Sequence, residues 1–473
     1  MKKIVIVGAG SSGLITAAMM KNYWGDQVDI SVYYDKSNKN IAVGESTTPI
    51  IRLLLRHLGM RTGDLFKELK NGATVKLGIH FKDWIPGTDY FHGFAEVQND
   101  IGTNTSAIYS IPEGKFNGGM NYNTPEYKIP DRPFEEYDHA FHIDTQEFSD
   151  LIFKRLNGIV NFVDTKIKNV VSDGENIISL VTEDDEIVTA DLFVDCSGFS
   201  TLLFKHLNPK WNDISDALPL DRAIPQQVPH KFMKMPAFTV AEATDNGWTW
   251  RIPIGDRYGT GYIYSSRFLS DDEARENYNA WLLKNFNTEL QTDRVIKYRP
   301  GYYDEYFIGN CLAVGLSSGF VEPLEATGLQ VVIQQVQEFM TINSTLKNLE
   351  YNRRILNKAH RTLYVDVFDF ICLHYNTNRT DSEFWRYMTA NKTDWVKEFD
   401  EKCRAEFLDA RTCFREKTFW GLDSFVQVCE GLDMVNKDSV KGFLNSKIDR
   451  QDILYQAKGD HQFLEFTKRK AKR

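Results

Sequence analysis

Residues 4–13 read Ile4-Val-Ile-Val-Gly-Ala-Gly-Ser-Ser-Gly13, an apolar run that ends in three glycines spaced G-x-G-x-x-G. The run predicts a short buried strand, and the apolar residues 14–20 predict a helix directly after it. In this context Gly8 permits the tight turn, Gly10 lets a pyrophosphate approach the backbone, and Gly13 lets the helix pack on the strand. The stretch therefore predicts a doubly wound, Rossmann-like α/β sheet that binds a dinucleotide.

A second strand is predicted at residues 28–34, and Asp35 follows it about 20 residues after the last glycine. An acid at this place can bind the ribose hydroxyls of a dinucleotide. Ser12, inside the glycine turn, completes the predicted site at this end of the sheet. These residues leave open whether the dinucleotide is NAD or FAD.

Two further loops add to this prediction. Residues 190–199 end in Asp-Cys-Ser-Gly-Phe after an apolar strand, as is typical of a doubly wound sheet where a turn approaches a dinucleotide. The loop 42–49 contains Gly44, Glu45 and Ser46 before an amphipathic stretch that begins near Ile51. Its hydroxyls can cap a helix or face the edge of a flavin, and both interpretations stay open.

Residues 311–329 predict a strand, a loop and a helix. Cys311-Leu-Ala-Val is apolar, Gly315 begins a loop rich in glycine and serine, and Leu329 starts a helical pattern. The first turn of such a helix has unpaired N–H groups, so Thr327 and Gly328 can hold an anion. Glu325 lies beside them as a possible acid or base; the alternative is a tight crossover with a solvated glutamate.

The segment 75–82 alternates strictly and predicts one strand, with Lys76, His80 and Lys82 on the face opposite the core. By this pattern alone Lys76 is solvated. Shortly afterwards His92 and Phe94 stand among aromatic residues. This cluster is either ordinary core or the wall of an aromatic pocket.

Trp248 and Trp250 share one face of a predicted strand, where they either pack across strands or form a rigid wall between two sites. After residue 330 the pattern becomes mostly helical, and aromatic residues there, Phe425 among them, can cap a pocket of the sheet domain. We therefore expect two domains. Residues 1–330 form a dinucleotide-binding module with an inserted substrate-side β-sheet, and residues 331–473 form a helical lobe that binds substrate.

Composition excludes several classes of protein. The 473 residues carry a formal charge of −9, which argues against a nucleic-acid surface. The six cysteines include no C-x-x-C pair, so we expect buried thiols, no metal site and a reducing compartment. The N-terminus is similar to a secretory signal, but cleavage there would destroy the glycine motif, and no apolar run is long enough to span a bilayer. We expect a cytoplasmic protein.

Together these segments resemble the flavin-dependent halogenases, the family that includes the tryptophan halogenases. The most specific marker is Trp248-Thr-Trp-Arg-Ile-Pro253, which matches the family's W-x-W-x-I-P, and residues 310–328 resemble the family's halide loop. Lys76 is similar to the essential lysine of the family. The resemblance implies halide binding at the amides of Thr327 and Gly328, and a glutamate near the substrate at Glu325.

The resemblance also implies cofactors, partners and a mechanism. FAD, reduced to FADH2 by a separate flavin reductase, would react with oxygen to a peroxyflavin, and a halide would attack it to give hypohalous acid. Lys76 would capture the halogen or hydrogen-bond the acid, and Glu325 would assist the transfer to an indole- or phenol-like small molecule. His92, Phe94, Trp248, Trp250 and Phe425 would line the substrate site or its wall.

The chain departs from the family pattern at two places. Ala326 stands where the family's F-x-x-P-x-x-S-x-G has serine, and Phe425 stands where tryptophan halogenases have tryptophan. Two other functions use the same dinucleotide fold. One is an FAD-dependent aromatic monooxygenase, and the other is a non-catalytic flavin-binding sensor.

Overall fold

A computed structural model describes residues 1–37, 45–69, 73–94, 139–230, 236–406, 408 and 419–439. The chain forms two compact units, each built from three segments. The first unit contains Met1–Ala73, Phe141–Ser215 and Tyr298–Val365, and the second contains Thr74–Ala140, Asp216–Lys297 and Asp366–Arg473. Gly44 lies outside the described residues.

The described strands are, in chain order, β1 (Lys2–Val7), β2 (Val28–Tyr34), β3 (Glu45–Ser46), β4 (Ala73–Lys76), β5 (Gly78–Lys82), β6 (Asp89–Gly93), β7 (Ala140–Ile143), β8 (Asn161–Asp164), β9 (Ile167–Ser172), β10 (Ile177–Thr182), β11 (Ile187–Val188), β12 (Leu192–Asp195), β13 (Trp211–Asp213), β14 (Arg222–Pro229), β15 (Thr239–Thr244), β16 (Gly247–Ile254), β17 (Arg257–Tyr264), β18 (Ile296–Lys297), β19 (Gly301–Tyr303), β20 (Phe307–Ile308), β21 (Cys311–Ala313) and β22 (Gly319–Phe320).

The described α-helices are, in chain order, α1 (Ser11–Trp24), α2 (Ile51–His57), α3 (Thr62–Glu68), α4 (Thr145–Leu156), α5 (Asp271–Phe286), α6 (Thr327–Ile342), α7 (Leu349–His374), α8 (Glu383–Ala390), α9 (Asp394–Ala405) and α10 (Leu422–Gly431). None of these helices is long and apolar enough to cross a lipid bilayer.

The first unit is built on a six-stranded sheet with the order β20-β21-β12-β1-β2-β8. Its strands β21, β12, β1, β2 and β8 are parallel, and β20 is antiparallel to β21. The apolar run of β1 is buried completely from Ile4 to Ile6, as expected for a parallel strand covered on both faces. The α/β fold class predicted from the sequence is confirmed.

The parallel pairing of the strands determines where the loops with the predicted flavin-binding residues lie. Val7 is paired with Asp195 on one side and with Tyr33 on the other, so β1, β2 and β12 end at the same edge. Ala313 is paired with Asp195 and brings the end of β21 to that edge as well. Ligands of open α/β sheets bind outside the carboxyl ends of the strands, which is where these loops lie.

The second unit is built on a seven-stranded sheet with the order β18-β14-β17-β16-β15-β5-β6. All neighbours are antiparallel except β15 and β5. Helix α5 covers one face, where its Tyr278 and Leu282 pack with Tyr262 and Tyr264 of β17. Helices α8, α9, α10 and the end of α7 belong to the same unit. This is the additional sheet that the sequence predicted.

The segment 75–82 differs from its prediction. It forms two strands, β4 and β5, separated at Leu77, whose backbone N–H donates to the carbonyl oxygen of Ala237. Val75, Ile79 and Phe81 are buried as the alternation predicts, but Lys76 is completely buried as well. His80 and Lys82 are half-buried. The prediction of a solvated Lys76 is wrong.

The domain boundary expected near residue 330 falls inside α6, within the segment Tyr298–Val365 of the first unit. The compact units of the structure therefore have other boundaries than the two domains expected from the sequence. The assignment of flavin binding to residues 1–330 and substrate binding to residues 331–473 stays a prediction about function.

Candidate functional site

The turn between β1 and α1 fits a dinucleotide through its backbone. Gly8 has a φ of +110°, and a Cβ there would lie 2.4 Å from the carbonyl oxygen of Cys196. A Cβ on Gly13 would lie 1.8 Å from the carbonyl oxygen of Gly8. Among the described residues no side chain caps α1, and its first turn has no acid. Its N–H groups can therefore bind a pyrophosphate that approaches Gly10 and Ser12.

Asp35 follows β2 as predicted, but its carboxylate takes part in a local turn. Its Oδ1 accepts hydrogen bonds from the backbone N–H of Ser37 at 2.9 Å and from Ser37 Oγ at 2.6 Å. These bonds, the Ser37 hydroxyl above all, lower the pKa of Asp35 below its ordinary value, so the carboxylate is ionised. It can still accept a ribose hydroxyl at its second oxygen.

Asp195, at the end of β12, is a residue that the sequence analysis did not select. It is completely buried, and its Oδ1 accepts from Ser197 N, Ser197 Oγ and Ser317 Oγ at 2.9, 2.6 and 3.1 Å. Its Oδ2 accepts from the backbone N–H groups of Leu203 and Phe204 at 2.8 and 2.9 Å. Asp195 thus joins the Cys-Ser-Gly turn to the loop after β21. An acid at the end of a buried strand was the only signal for it.

The loop before α2 is described in part. Glu45 and Ser46 form β3, which is antiparallel to β7 with Ser46 opposite His142. The Ser46 side chain is buried, and α2 begins at Ile51 with Ile50 as its N-cap residue, so four residues separate this serine from the helix. Ser46 is therefore too far from α2 to be its N-cap residue.

Gly315 lies against the turn of β1 and α1. Its φ is +64°, and a Cβ would lie 2.5 Å from Ser12 Oγ and 2.8 Å from Val332 Cγ2. The backbone N–H of Gly315 donates to Gln335 Oε1 at 3.0 Å. Because this N–H already donates to Gln335, what Gly315 provides beside Ser12 is space for a close approach of the backbone.

Helix α6 begins at Thr327 with an N-terminus that can bind an anion. Its N-cap residue Ala326 is in the left-handed region, with φ 58° and ψ 35°, and provides no side-chain cap. The first turn contains no acid, and Thr327 and Gly328 are its first two residues, so their N–H groups can hold an anion. Glu325 is buried with 2% exposure, which contradicts the alternative of a solvated glutamate.

In the second unit Lys76 lies beside Phe94. The side chain of Lys76 is buried, and its Nζ lies 5.1 Å from the centre of the Phe94 ring. This is within the range of a cation–π contact. The structure therefore joins two residues that the sequence analysis selected for different reasons.

His92 lies in an aromatic cluster formed by β6, α7 and α10. Its ring centre is 5.6 Å from that of Phe370 and 5.8 Å from that of Trp420. Phe370 stacks on Trp420 at 4.2 Å and contacts Phe425 at 5.2 Å. The Gly93 N–H donates to Gln427 Oε1 at 2.6 Å and ties β6 to α10. The sequence analysis did not select Phe370 or Gln427, because only the tertiary fold brings α7 and α10 to β6.

Trp248 and Trp250 are buried on β16 in an edge-to-face pair with ring centres 6.2 Å apart. Gly261 on β17 makes room for Trp250, since a Cβ there would lie 2.1 Å from the Cη2 atom of the indole. Strands β15 and β5 lie between β16 and β6. Strand β16 is thus three strand spacings, about 14 Å, from β6, which carries His92.

Residues 3–444 of the chain match the family model described as tryptophan halogenase. The chain is 32% identical to tryptophan 7-halogenase RebH of Lentzea aerocolonigenes, over 92% of this chain and 90% of the relative. It is similar to the structure of BrvH, a flavin-dependent halogenase from Brevundimonas sp. BAL3, with 27% identity, a TM-score of 0.83 and coverage of 100% and 97%. The structure of Tar14, a tryptophan C-6 flavin-dependent halogenase from taromycin biosynthesis, gives 26% identity, a TM-score of 0.86 and coverage of 98% and 97%.

Proposed function

The chain belongs to the tryptophan halogenase family, and from this premise we propose that it halogenates an indole- or phenol-like small molecule through hypohalous acid. The predicted family, the enzyme class of flavin-dependent halogenase and the use of FADH2 and halide are confirmed. The indole- or phenol-like class of the aromatic substrate, the residues that act on it and the separate reductase are proposals.

The flavin would be held at the carboxyl edge of the six-stranded sheet. The cradle of Gly8 and Gly13, where any Cβ would collide with backbone, supports this assignment. Gly10, Ser12 and Asp35 would bind the pyrophosphate and ribose. When bound as FADH2, the cofactor would supply, together with oxygen, the two-electron oxidation that makes a halide electrophilic.

The halide would be held by the N–H groups of Thr327 and Gly328. Anions bind at helix N-termini because the N–H groups lack partners and the helix dipole is positive there. The side chain of the left-handed N-cap residue Ala326 makes no hydrogen bond to these N–H groups. Glu325, buried one residue before this cap, would accept the proton that leaves the ring carbon.

The observation that carries the proposal is the complete burial of Lys76 beside Phe94. Removing the charge of a lysine from water costs free energy, so a lysine without a function is expected on the solvated face of a strand. Lys76 would either hydrogen-bond hypohalous acid or take its halogen, with loss of water, as a haloamine. His92, Phe94 and Phe425 would hold the aromatic substrate, and Trp248 and Trp250 would form the wall that separates substrate from oxidant.

A substrate screen tests this function. The protein is incubated with aromatic compounds, FAD, a flavin reductase, its nicotinamide donor and either chloride or bromide, and products are analysed by mass spectrometry. Halogenation gives the mass and isotope pattern of the supplied halide. A halide-independent gain of one oxygen would instead establish the monooxygenase. Flavin binding without any product from the library would favour the sensor.

A further inference from the structure

The loop from Gly315 to Gly319 is held by four side chains from the loop itself and from helices α6 and α7. Gln335 accepts from the Gly315 N–H at its Oε1, and its Nε2 lies 2.8 Å from Ser318 Oγ and 3.2 Å from His360 Nδ1. His360 Nε2 lies 3.0 Å from the carbonyl oxygen of Tyr303. Tyr364 donates to the carbonyl oxygen of Gly319 at 3.0 Å. All these side chains are buried.

The partners determine the orientation of the Gln335 amide and the tautomer of His360. The Gly315 N–H can only donate, so Gln335 must present its oxygen there and both Nε2 hydrogens to Ser318 and His360. The Tyr303 carbonyl can only accept, so His360 carries its proton on Nε2 and accepts at Nδ1. The Ser318 hydroxyl accepts from Gln335 and lies 2.8 Å from the carbonyl oxygen of Gly315 and 3.1 Å from the Tyr364 hydroxyl, and it can donate to either. Gln335 is therefore held in one orientation, with all of its amide hydrogen-bonding groups used.

His360 must stay neutral for this arrangement. It stacks on Tyr306 with ring centres 4.5 Å apart and meets Tyr364 edge-on at 4.9 Å. Burial lowers the pKa of His360 to about 3, against the opposing effect of its bond to Tyr303, and Arg361 lowers it slightly further. Burial also raises the pKa values of Tyr306 and Tyr364 above the ordinary range. None of these groups changes its charge between pH 6 and 9.

The same loop contacts both turns at which the flavin is proposed to bind. Gly315 packs against Ser12 so closely that a Cβ would lie 2.5 Å from the Ser12 hydroxyl. Ser317 Oγ lies 3.1 Å from Asp195 Oδ1 and 3.2 Å from the carbonyl oxygen of Gly198. A displacement of the loop would therefore change the space beside the β1–α1 turn and the turn after β12 together.

We propose that Gln335 is a positioning residue for the flavin: by its bonds to Gly315, Ser318 and His360 it sets the loop that shapes the cofactor site. This inference rests on the proposed flavin site. It gives Gln335 a role in cofactor affinity, although this helix residue acts through the loop and not by contact with the ligand. No local sequence pattern marks Gln335, because its partners come from a loop 20 residues before it and a helix 25 residues after it.

The test is Gln335→Glu, with oxidised FAD as the probe and its dissociation constant measured from pH 6 to pH 9. While the new carboxyl and His360 share one proton, the network can form. When that proton is lost, a carboxylate faces the lone pair of His360 Nδ1, and the loop is pushed away. The FAD affinity of this variant should therefore fall as pH rises, by up to about tenfold per pH unit above the pKa of the pair. The parent protein should show no such dependence.

Two further variants keep the test decisive. Gln334→Glu is the control, because it makes the same change one position earlier. The Gln334 side chain bonds only Glu338 among the described residues, so this variant should have the FAD affinity and the pH dependence of the parent. Ser318→Ala removes one partner of Gln335 and should weaken FAD binding at every pH by about five- to tenfold. Folding of each variant is checked by circular dichroism.

Parent-like, pH-independent affinity in Gln335→Glu would overturn the proposal, and if that variant does not fold, parent-like affinity in Ser318→Ala would do so. These readouts do not need turnover. They therefore separate failure of this inference from failure of the proposed halogenation, which only the substrate screen measures.

Discussion

At the scale of a single residue, a substitution of Lys76 distinguishes a catalytic role of this lysine from a structural one. We expect Lys76→Met to fold, because an apolar side chain of similar length fills the same buried space. The variant should consume FADH2 and oxygen but form no halogenated product, as measured by oxygen uptake and mass spectrometry. Lys82→Met is the matched control, since Lys82 is partly exposed and paired with Glu242 at 2.9 Å. Halogenation by Lys76→Met at the parent rate would exclude a catalytic role.

Ala326, also at the residue scale, tests the proposed halide site. Serine at this position would add a hydroxyl beside Thr327, and a hydrogen bond to a charged group contributes about 1.5–3 kcal/mol, a ten- to hundredfold change in affinity. Chloride, the more strongly hydrated ion, gains more from an added donor than bromide. We therefore expect Ala326→Ser to shift the product ratio toward chloride when both halides compete.

The control for this prediction is Ala326→Gly, which keeps the left-handed conformation without a hydroxyl. It should raise stability by about 1 kcal/mol, because a φ of 58° is unfavourable for alanine. Its product ratio should equal that of the parent. An unchanged ratio in Ala326→Ser would show that this position does not determine halide preference.

At the scale of an element, we expect substitutions of two glycines in the β1–α1 unit to have opposite effects on folding and FAD binding. Gly10 has φ −72° and ψ −177°, which any L-residue can adopt, so Gly10→Val should fold yet lose FAD binding because its side chain blocks the pyrophosphate. Gly13→Ala should instead destabilise the fold by about 3 kcal/mol or more, since its Cβ would meet the Gly8 carbonyl oxygen at 1.8 Å. Urea unfolding and FAD titration measure the two effects separately. Undiminished FAD affinity in Gly10→Val would contradict the proposed binding mode.

At the scale of the whole molecule, stability should depend on the protonation of Glu430 in α10. Burial raises its pKa from 4.5 to about 7, with a smaller opposing effect of Lys437 and a raising effect of Asp433. The folded chain therefore binds this proton more tightly than the unfolded chain, and the free energy of unfolding falls as pH rises from about 4.5 through 7. Glu430→Gln removes the titration. It should stabilise the protein by roughly 1–3 kcal/mol more at pH 8 than at pH 5.

Thermal unfolding at the two pH values measures this difference, and Glu401→Gln on α9, where the side chain is exposed, is the control. An equal effect of Glu430→Gln at both pH values would show that the carboxyl is solvated in the folded protein. Because α10 also carries Phe425 and Gln427, the same experiment reports on the stability of the element that closes the aromatic cluster around His92.

The sequence by itself determined the class of the fold and the turns of the first unit. Strand β2 was predicted at its observed bounds, and Gly8 and Gly13 occupy the conformations and contacts that their motif implies. Such features depend on neighbours within a few residues, where periodicity and backbone sterics act directly. The start of α6 beside Thr327 was predictable for the same reason.

Only the tertiary structure decided which side chains are buried and which distant groups meet. Alternation placed Lys76 in solvent, yet the fold buries it completely, and its neighbour Leu77 donates a backbone hydrogen bond to Ala237, far along the chain. Asp195 collects donors from residues 197 to 317, and Gln335 joins a loop of the sheet to His360 on another helix. Burial and hydrogen-bond satisfaction are set by contacts between residues that no spacing in a single sequence connects.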